Sequence, residues 1–222
     1  SWATTASAAS PVTVPNAGFE SPAVANGAVG TAANWSIIGG VDAGVWNPTS
    51  TNYTAEAPEG LNIGYVYSDT AGTGLSQVLS ATFQADSSYT LSVKVGQSNT
   101  YAASGYTVQL LANGVVLTGG QDDNTNPPAA DSFVTSTINY TYNVADAALV
   151  GQPLEIRLLG KGLAVGGETD FDDVQLTVAL ANPVAAPGGP YTVANSGSLS
   201  LNGGASLPSD GQAITTYEWD LD

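Results

Sequence analysis

Thr169-Asp170-Phe171-Asp172-Asp173-Val174-Gln175-Leu176-Thr177-Val178 reads as a strand, because Val174, Leu176 and Val178 follow Phe171 and alternate with polar neighbours at period two. Inside it sit Asp170, Asp172 and Asp173, where a plain core strand would carry no charge. Crowded carboxylates repel one another unless a cation or protons neutralise them. The chain has no His and 3 Lys+Arg in 222 residues, so side-chain cations are scarce. A hard metal ion such as Ca2+ is therefore the expected counter-ion. Near the other end, Asn16-Ala17-Gly18-Phe19-Glu20 is a turn with one carboxylate beside an aromatic. The two stretches are expected to be neighbours in space, clipping the first strand to the last.

Outward from that strand, turn signals separate further alternating segments, and none shows sustained helical periodicity. Trp35 to Ile38 and Val41 to Val45 flank Gly39-Gly40, a hairpin-like turn. Leu61 to Tyr67 puts Leu61, Ile63, Tyr65 and Tyr67 on one face, and Tyr89 to Val95 alternates with Lys94 on the wet side. Tyr106 to Ala112 and Val115 to Thr118 bracket Asn113-Gly114, the strongest short hairpin signal in the chain. Phe133 to Asn143 and Leu154 to Leu159 complete roughly eight strands, which suits an all-β, two-sheet antiparallel sandwich or jelly roll. After Leu180 the character changes. Residues 181–187 form a Pro/Ala linker, and residues 188–222 look like short strands with tight turns, too few for an independent core. Residues 1–11 are a small-residue Ala/Ser/Thr spacer, so the main domain is expected over 12–180.

The formal charge of −16 leaves no basic footprint for nucleic acid or for insertion into an anionic membrane surface. No apolar run approaches the roughly 18 residues that a bilayer-spanning helix needs. Cysteine is absent, so no disulfide framework exists. The acidic balance and the abundance of Thr, Ser, Asn and Gly fit an extracellular or cell-surface bacterial protein.

Residues from about 12 to 180 resemble the galactose-binding-like jelly rolls, which include many calcium-containing carbohydrate-binding modules. The carriers are Asn16-Ala17-Gly18-Phe19-Glu20, Trp35 and Phe171-Asp172-Asp173-Val174. A subset from secreted bacterial proteins is similar also in Ala43-Gly44-Val45, Pro58-Glu59-Gly60, Ser88 to Ser92 and Gly151 to Ile156. The resemblance implies a structural Ca2+ held by Glu20, the carbonyl of Gly18 and Asp172, with Glu59 as a candidate to complete the shell. Residues 183–222 resemble the first half of a PKD domain, an immunoglobulin-like sandwich, through Gly188-Gly189-Pro190-Tyr191, Asp210-Gly211 and Tyr217-Glu218-Trp219-Asp220. Asp210, Asp220 and Asp222 invite a second, weaker metal site there. Asp170 and Asp173 either face solvent or order the neighbouring turn.

Trp46, Tyr53 and Tyr101 lie in polar, loop-like surroundings, where rings either stack on sugar faces or pin their own loops. Asn99 and Gln109 are candidate hydrogen-bond donors to such a sugar. Trp35, Tyr89 and Phe171 are expected in the core. With no His or Cys, Ser-His-Asp and Cys-His catalysis are excluded. Two carboxylates suffice for glycoside hydrolysis, but a metal ion at that cluster would keep them ionised. The resulting expectation is a non-catalytic, calcium-stabilised extracellular module that binds a polysaccharide or glycoconjugate. The alternative is a structural subunit of an extracellular layer or filament, a homo-oligomer or polymer assembled by strand complementation through residues 188–222.

Overall fold

The computed structural model describes residues 8–163 and 166–180 and, of the tail, 186, 188–193, 195, 197–206, 216 and 218. Its elements are β1 (Ser10–Val12), β2 (Val29–Gly30), β3 (Ser36–Ile38), β4 (Asp42–Trp46), β5 (Ile63–Ser68), β6 (Thr73–Thr82), β7 (Ser87–Gln97), β8 (Tyr106–Ala112), β9 (Val115–Asp122), β10 (Ser132–Thr141), a 3-10 turn (Val144–Leu149), β11 (Pro153–Gly160) and β12 (Gly167–Leu180). They form the two antiparallel sheets of a jelly-roll sandwich. The larger has the order β10-β7-β12-β5-β4-β2, with β1 also on β12, and the smaller has the order β3-β6-β11-β8-β9. No described helix is long and apolar enough to cross a membrane.

β12 runs through the middle of the larger sheet and changes phase partway. Its register against β7 shifts between Asp172 and Gln175, and Asp173 adopts a left-handed φ of 47°. This is a β-bulge, in which one extra residue re-aims everything after it. Phe171 before the bulge and Val174 and Leu176 after it all reach the same core. The three-residue step from Phe171 to Val174, amid a period of two, is the mark of that bulge in the sequence. The expected clip also forms: β1 pairs with β12 from Ser10↔Val178 to Val12↔Leu176, and Val174 N–H donates to Ala17 C=O at 3.1 Å.

The core between the sheets takes Leu91, Val93 and Val95 from β7, Val108 and Leu110 from β8, and Ile156 and Leu158 from β11. Trp35, Tyr89 and Phe171 are buried in it, as expected. Phe19 stacks on Trp35 at 5.2 Å between ring centroids. A Cβ on Gly64 would run into the Phe19 ring, so that close approach needs glycine. Asn113 and Gly114 both take positive φ and join β8 to β9 as the tight hairpin their sequence signals. Gly39-Gly40 does not make a hairpin. Its flanking strands lie in different sheets, β3 pairing with β6 and β4 with β5, so the turn carries the chain across the sandwich.

The ends differ from expectation. β1 takes up Ser10 and Pro11, which the composition placed in the spacer, and residues 1–7 lie outside the described residues. Most of the linker and the carriers Asp210, Gly211, Tyr217, Trp219 and Asp220 are likewise outside them, as are Asp222 and most of the expected strand from Ile214 to Leu221. Among the described residues from 186 to 206 no strand forms where Tyr191 to Leu201 was expected to supply one. Instead Tyr191 Oη accepts from Asn202 N–H at 2.9 Å and donates to its carbonyl at 3.2 Å.

Phe171→Ala removes a ring of 0 % exposure beside the bulge. It is expected to cost about 3–5 kcal/mol in urea denaturation. Val78→Ala, at a side chain 65 % exposed on β6, is expected to stay within about 0.5 kcal/mol.

Candidate active site

Ahead of the bulge, β12 shows opposite chemistries on its two faces. Phe171 points into the sandwich, while Glu168, Asp170 and Asp172 share the outer face at period two. All three carboxyl residues are buried all the same. The larger sheet surrounds them with aromatic rings. Across β5, Tyr67 stands opposite Glu168 and Tyr65 opposite Asp170; beyond it, on β4, Asp42 stands opposite Tyr67 and Trp46 opposite Ile63. On the other side Gly96 of β7 lies opposite Asp170, with Phe133 of β10 opposite Gly96. Trp46, Tyr53, Ile63 and Tyr65 form a second apolar cluster, packed on Tyr67 and Phe133 and separate from the core.

The residues between β4 and β5 fold Tyr53 back over this face. Its ring stacks on Phe133 at 4.7 Å, and its hydroxyl donates to Asp170 Oδ2 at 2.5 Å. A Cβ on Gly96 would strike both the Phe133 ring and the Tyr53 hydroxyl, so this strand position admits only glycine. Asp170 is 0 % exposed, and its Oδ1 has no hydrogen-bond partner. Burial, and then the charge of Glu168, push its carboxyl well above the ordinary range; the Tyr53 bond pulls in the opposite sense. Glu168 is raised to about 7, chiefly by burial and further by Asp42, against the bond it accepts from the Ser98 hydroxyl at 3.2 Å. Tyr65 donates to Asp42 Oδ1 at 2.6 Å. Burial first, then the neighbouring carboxylates, push the Tyr53 and Tyr65 phenols upward, so both remain donors.

No basic side chain relieves these carboxyls. Lys94 stands opposite Asp172 across β7 and β12, but its ammonium reaches Thr135 of β10 instead, at 2.9 Å. Arg157 pairs with Glu155 and Lys161 with Asp123. A buried carboxyl without a cation keeps its proton. The face thus raises the proton affinity of Glu168 and Asp170, and Glu168 borders a cavity of about 420 Å³ lined also by Asp42, Trp46, Tyr65, Tyr67 and Tyr101. A second cavity, of about 340 Å³, shares Glu168 as a wall and continues to Ser104, Asn124 and Lys161.

Of the residues singled out from sequence, Trp46, Tyr53 and Tyr101 do come together. Tyr101 is 42 % exposed and meets Trp46 and Tyr67 edge-on at 6.4 and 5.6 Å, while Trp46 and Tyr53 are buried. Asn99 lies behind the same segment, its N–H bonded to Asn52 C=O at 2.8 Å. Gln109 is elsewhere, on β8 of the smaller sheet, with its amide on Gln121 Oε1. Gly18, Glu20, Glu59 and Asp172 gather around the far end of the carboxyl row. Asp172 Oδ2 accepts from Glu59 N–H at 2.8 Å, and Glu20 Oε1 accepts from Leu61 and Asn62 N–H. A Cβ on Gly18 would overlap the Glu59 carboxylate, and one on Gly60 the Glu20 carboxylate. No group of three or more acidic side chains arranged to hold a metal ion occurs among the described residues. Glu168, Asp42, Tyr65, Tyr67 and Phe133 were missed as site residues, and Asp170, expected either to face solvent or to order the neighbouring turn, is buried on Tyr53. The available signal was Glu168-Thr169-Asp170-Phe171-Asp172, three carboxyls at strand period on the face opposite a core Phe.

Fold and site together define a jelly-roll sandwich that carries an acid-bearing aromatic cavity on one sheet. The family model described as HpiC1-like, HpiC1 cyclase, matches residues 10–177, and the chain belongs to this cyclase family. It is similar to the Stig cyclase Fisc from Fischerella sp. TAU, solved in complex with (3Z)-3-(1-methyl-2-pyrrolidinylidene)-3H-indole, at 29% identity and a TM-score of 0.69 over 77% of this chain and 98% of that one. A cyclase from Fischerella sp. TAU in complex with 4-(1H-indol-3-yl)butan-2-one is 31% identical, with a TM-score of 0.67 over 76% and 97%. The CBM22-1 xylan-binding domain of Paenibacillus barcinonensis Xyn10C shares the fold, at 18% identity and a TM-score of 0.50 over 79% and 97%. No curated protein matches the chain.

These findings overturn the expected non-catalytic glycan-binding module, and with it the polysaccharide partner and the alternative of a self-assembling structural subunit. The family is one of cyclases, and the solved relatives hold indole compounds. Lack of His and Cys excluded only chemistry that needs them, whereas a carboxyl in a dry aromatic pocket is itself an acid at neutral pH. Of the rings drawn as sugar contacts, Trp46 and Tyr101 line the cavity, while Tyr53 is buried over Asp170. Assembly by strand donation through residues 188–222 has no strand to donate among the described residues.

Glu168 binds its proton more tightly folded, at about 7 against an ordinary value of 4.5. Its contribution to stability is full below about pH 4.5 and is lost as pH rises through 7. The melting temperature is expected to fall between pH 5 and 8, and Glu168→Gln to flatten that fall, measured by calorimetry across the range.

Proposed function

We propose that the protein is an acid-catalysed cyclase of an indole-bearing small molecule, with Asp170 as the proton donor. The observation that carries this reading is the fully buried Asp170 carboxyl, one oxygen bonded to Tyr53 and the other without a partner, on the strand face it shares with Glu168 and opposite Tyr65, both of which line the aromatic-walled cavity. Indole ligands in two similar cyclases support the substrate class. Asp170 transfers its proton to an unsaturated carbon of the substrate, leaving a carboxylate and a carbocation. A carbon–carbon π bond of the same molecule attacks the cation and closes the ring. Loss of a proton from a neighbouring carbon to the Asp170 carboxylate ends the reaction, so substrate and product are isomers and no co-reactant is consumed. Ionised Glu168 raises the proton affinity of Asp170 by like-charge repulsion. The faces of Trp46 and Tyr65 stabilise positive charge in the desolvated cavity.

We further propose a structural Ca2+ between the first turn and β12, held by Glu20, Glu59, Asp172 and the Gly18 carbonyl. The fit rests on an all-oxygen donor set around Asp172, which is 0 % exposed, without an ion-pair partner, and raised to about 8, first by burial. Among the described residues no three acidic side chains converge, so such an ion would also need backbone or water oxygens. The ion would neutralise these carboxylates and tie two distant segments together; it takes no part in the proton transfer. Such a site suits extracellular calcium levels, and we place the protein outside the cell or on its surface. By sequence motif alone, residues 188–222 are assigned as the start of a PKD-type spacer after a domain over 12–180 and a linker over 181–187.

Asp170→Asn is expected to lower turnover of an indole substrate about 10²–10⁴-fold while 4-(1H-indol-3-yl)butan-2-one still binds by calorimetry. Turnover at the wild-type rate in that variant would exclude Asp170 as the acid. Chelator is expected to lower the melting temperature of the wild-type protein and to leave Asp172→Ala unchanged. Equal melting of the wild type with and without chelator sinks the calcium site.

A further inference from the structure

Tyr53 reaches Asp170 from the segment between β4 and β5, outside any strand, so something outside the acid pair must fix its hydroxyl there. The neighbouring residue shows what does. Thr54 N–H donates to Asp131 Oδ1 at 2.7 Å and Thr54 Oγ1 donates to Asp131 Oδ2 at 2.6 Å, so one carboxylate takes both polar groups of the residue after the catalytic-site phenol. Asp131 is itself anchored, its N–H bonded to Gln97 C=O at 2.9 Å at the end of β7. Two residues on, Phe133 stacks on the Tyr53 ring. The segment from Asp131 to Phe133 therefore grips the backbone at Thr54 and the ring at Tyr53, with the hydroxyl left to project onto Asp170. On the preceding side Asn52 is tied to Thr100 Oγ1 at 2.7 Å.

We infer that Asp131 is a positioning residue, whose two-oxygen hold on Thr54 keeps the Tyr53 hydroxyl on Asp170. Its role in turnover rests on Asp170 being the acid; its hold on Tyr53 does not. Asp131 lines neither cavity. Its partner Thr54 is exposed, so removing the carboxylate opens no hole in the core. A short reach of this kind matters because displacement of a catalytic contact by about 1 Å can cost up to about a hundredfold in rate.

The test combines Asp131→Ala, Asp131→Asn and Tyr53→Phe, singly and in pairs, with two readouts. The first is the downfield hydroxyl proton resonance in NMR spectra that Tyr53→Phe abolishes. The second is turnover of an indole substrate. Asp131→Ala is expected to broaden that resonance away and lower kcat about tenfold with KM nearly unchanged, while the melting temperature falls by about 4–8 °C, because Ala is strained at the left-handed φ of 62° that Asp131 adopts. Asp131→Asn keeps one oxygen for Thr54 and is expected to recover part of both signals. In the Tyr53→Phe background, Asp131→Ala is expected to add no further loss, because both changes remove the same contact. An unchanged resonance in Asp131→Ala, or losses that multiply in the double variant, overturns the inference. A resonance that vanishes with Asp131→Ala, beside turnover that neither Tyr53→Phe nor Asp170→Asn alters, upholds the hold on Tyr53 and refutes the reading of Asp170 as the acid.

Discussion

The burial of carboxyl groups on the outer face of β12 with no basic side chain to pair them is the constraint on which the rest depends. An ionised carboxylate in such a place is costly, and the protein answers in three ways along one strand. Asp170 keeps its proton and Glu168 holds one up to about pH 7, Tyr53 and Ser98 donate hydroxyl hydrogens to them, and Asp172 receives the backbone N–H groups of Glu59 and Asp173. The strand can carry this load because its other face is firmly held. Phe171 and, beyond the bulge, Val174 and Leu176 anchor it in the sandwich core. Without the phase change at Asp173, residues after it would turn their apolar side chains to the wrong face.

The aromatic residues on the same face play a second part in that electrostatics. Trp46, Tyr53, Tyr65 and Phe133 exclude water from Asp170, and exclusion of water raises its proton affinity. The groups that shape a cavity for a flat apolar molecule are thus the groups that make the carboxyl an acid. Gly96 is the backbone concession that permits this, since any side chain there would displace both Phe133 and the Tyr53 hydroxyl. A sandwich shared with a xylan-binding domain shows how little the fold alone says of function.

Much of the architecture was written locally. Alternation at period two marked β5, β7 and β12, Asn113-Gly114 marked the β8–β9 hairpin, and the Phe171 to Val174 step carried the bulge in plain view. These features are legible because they depend on backbone preference and on which neighbours in sequence share a face. Gly39-Gly40 shows the limit. Two glycines at positive φ specify a turn, but not whether the strands they join pair with each other or enter opposite sheets.

The sequence by itself determined an all-β sandwich, the adjacency of its first and last strands, and the scarcity of cations around a row of carboxylates. It also held, at period two, the three carboxyls of the acid face. Tertiary structure alone decided that Asp170 is dry rather than wet, that Tyr53 crosses from a segment 117 residues away to reach it, and that Trp46 and Tyr101 wall a cavity while Gln109 lies on the other sheet. The physical reason is that a carboxyl's chemistry is set by its solvation. Solvation depends on groups brought from distant parts of the chain, which no local pattern records.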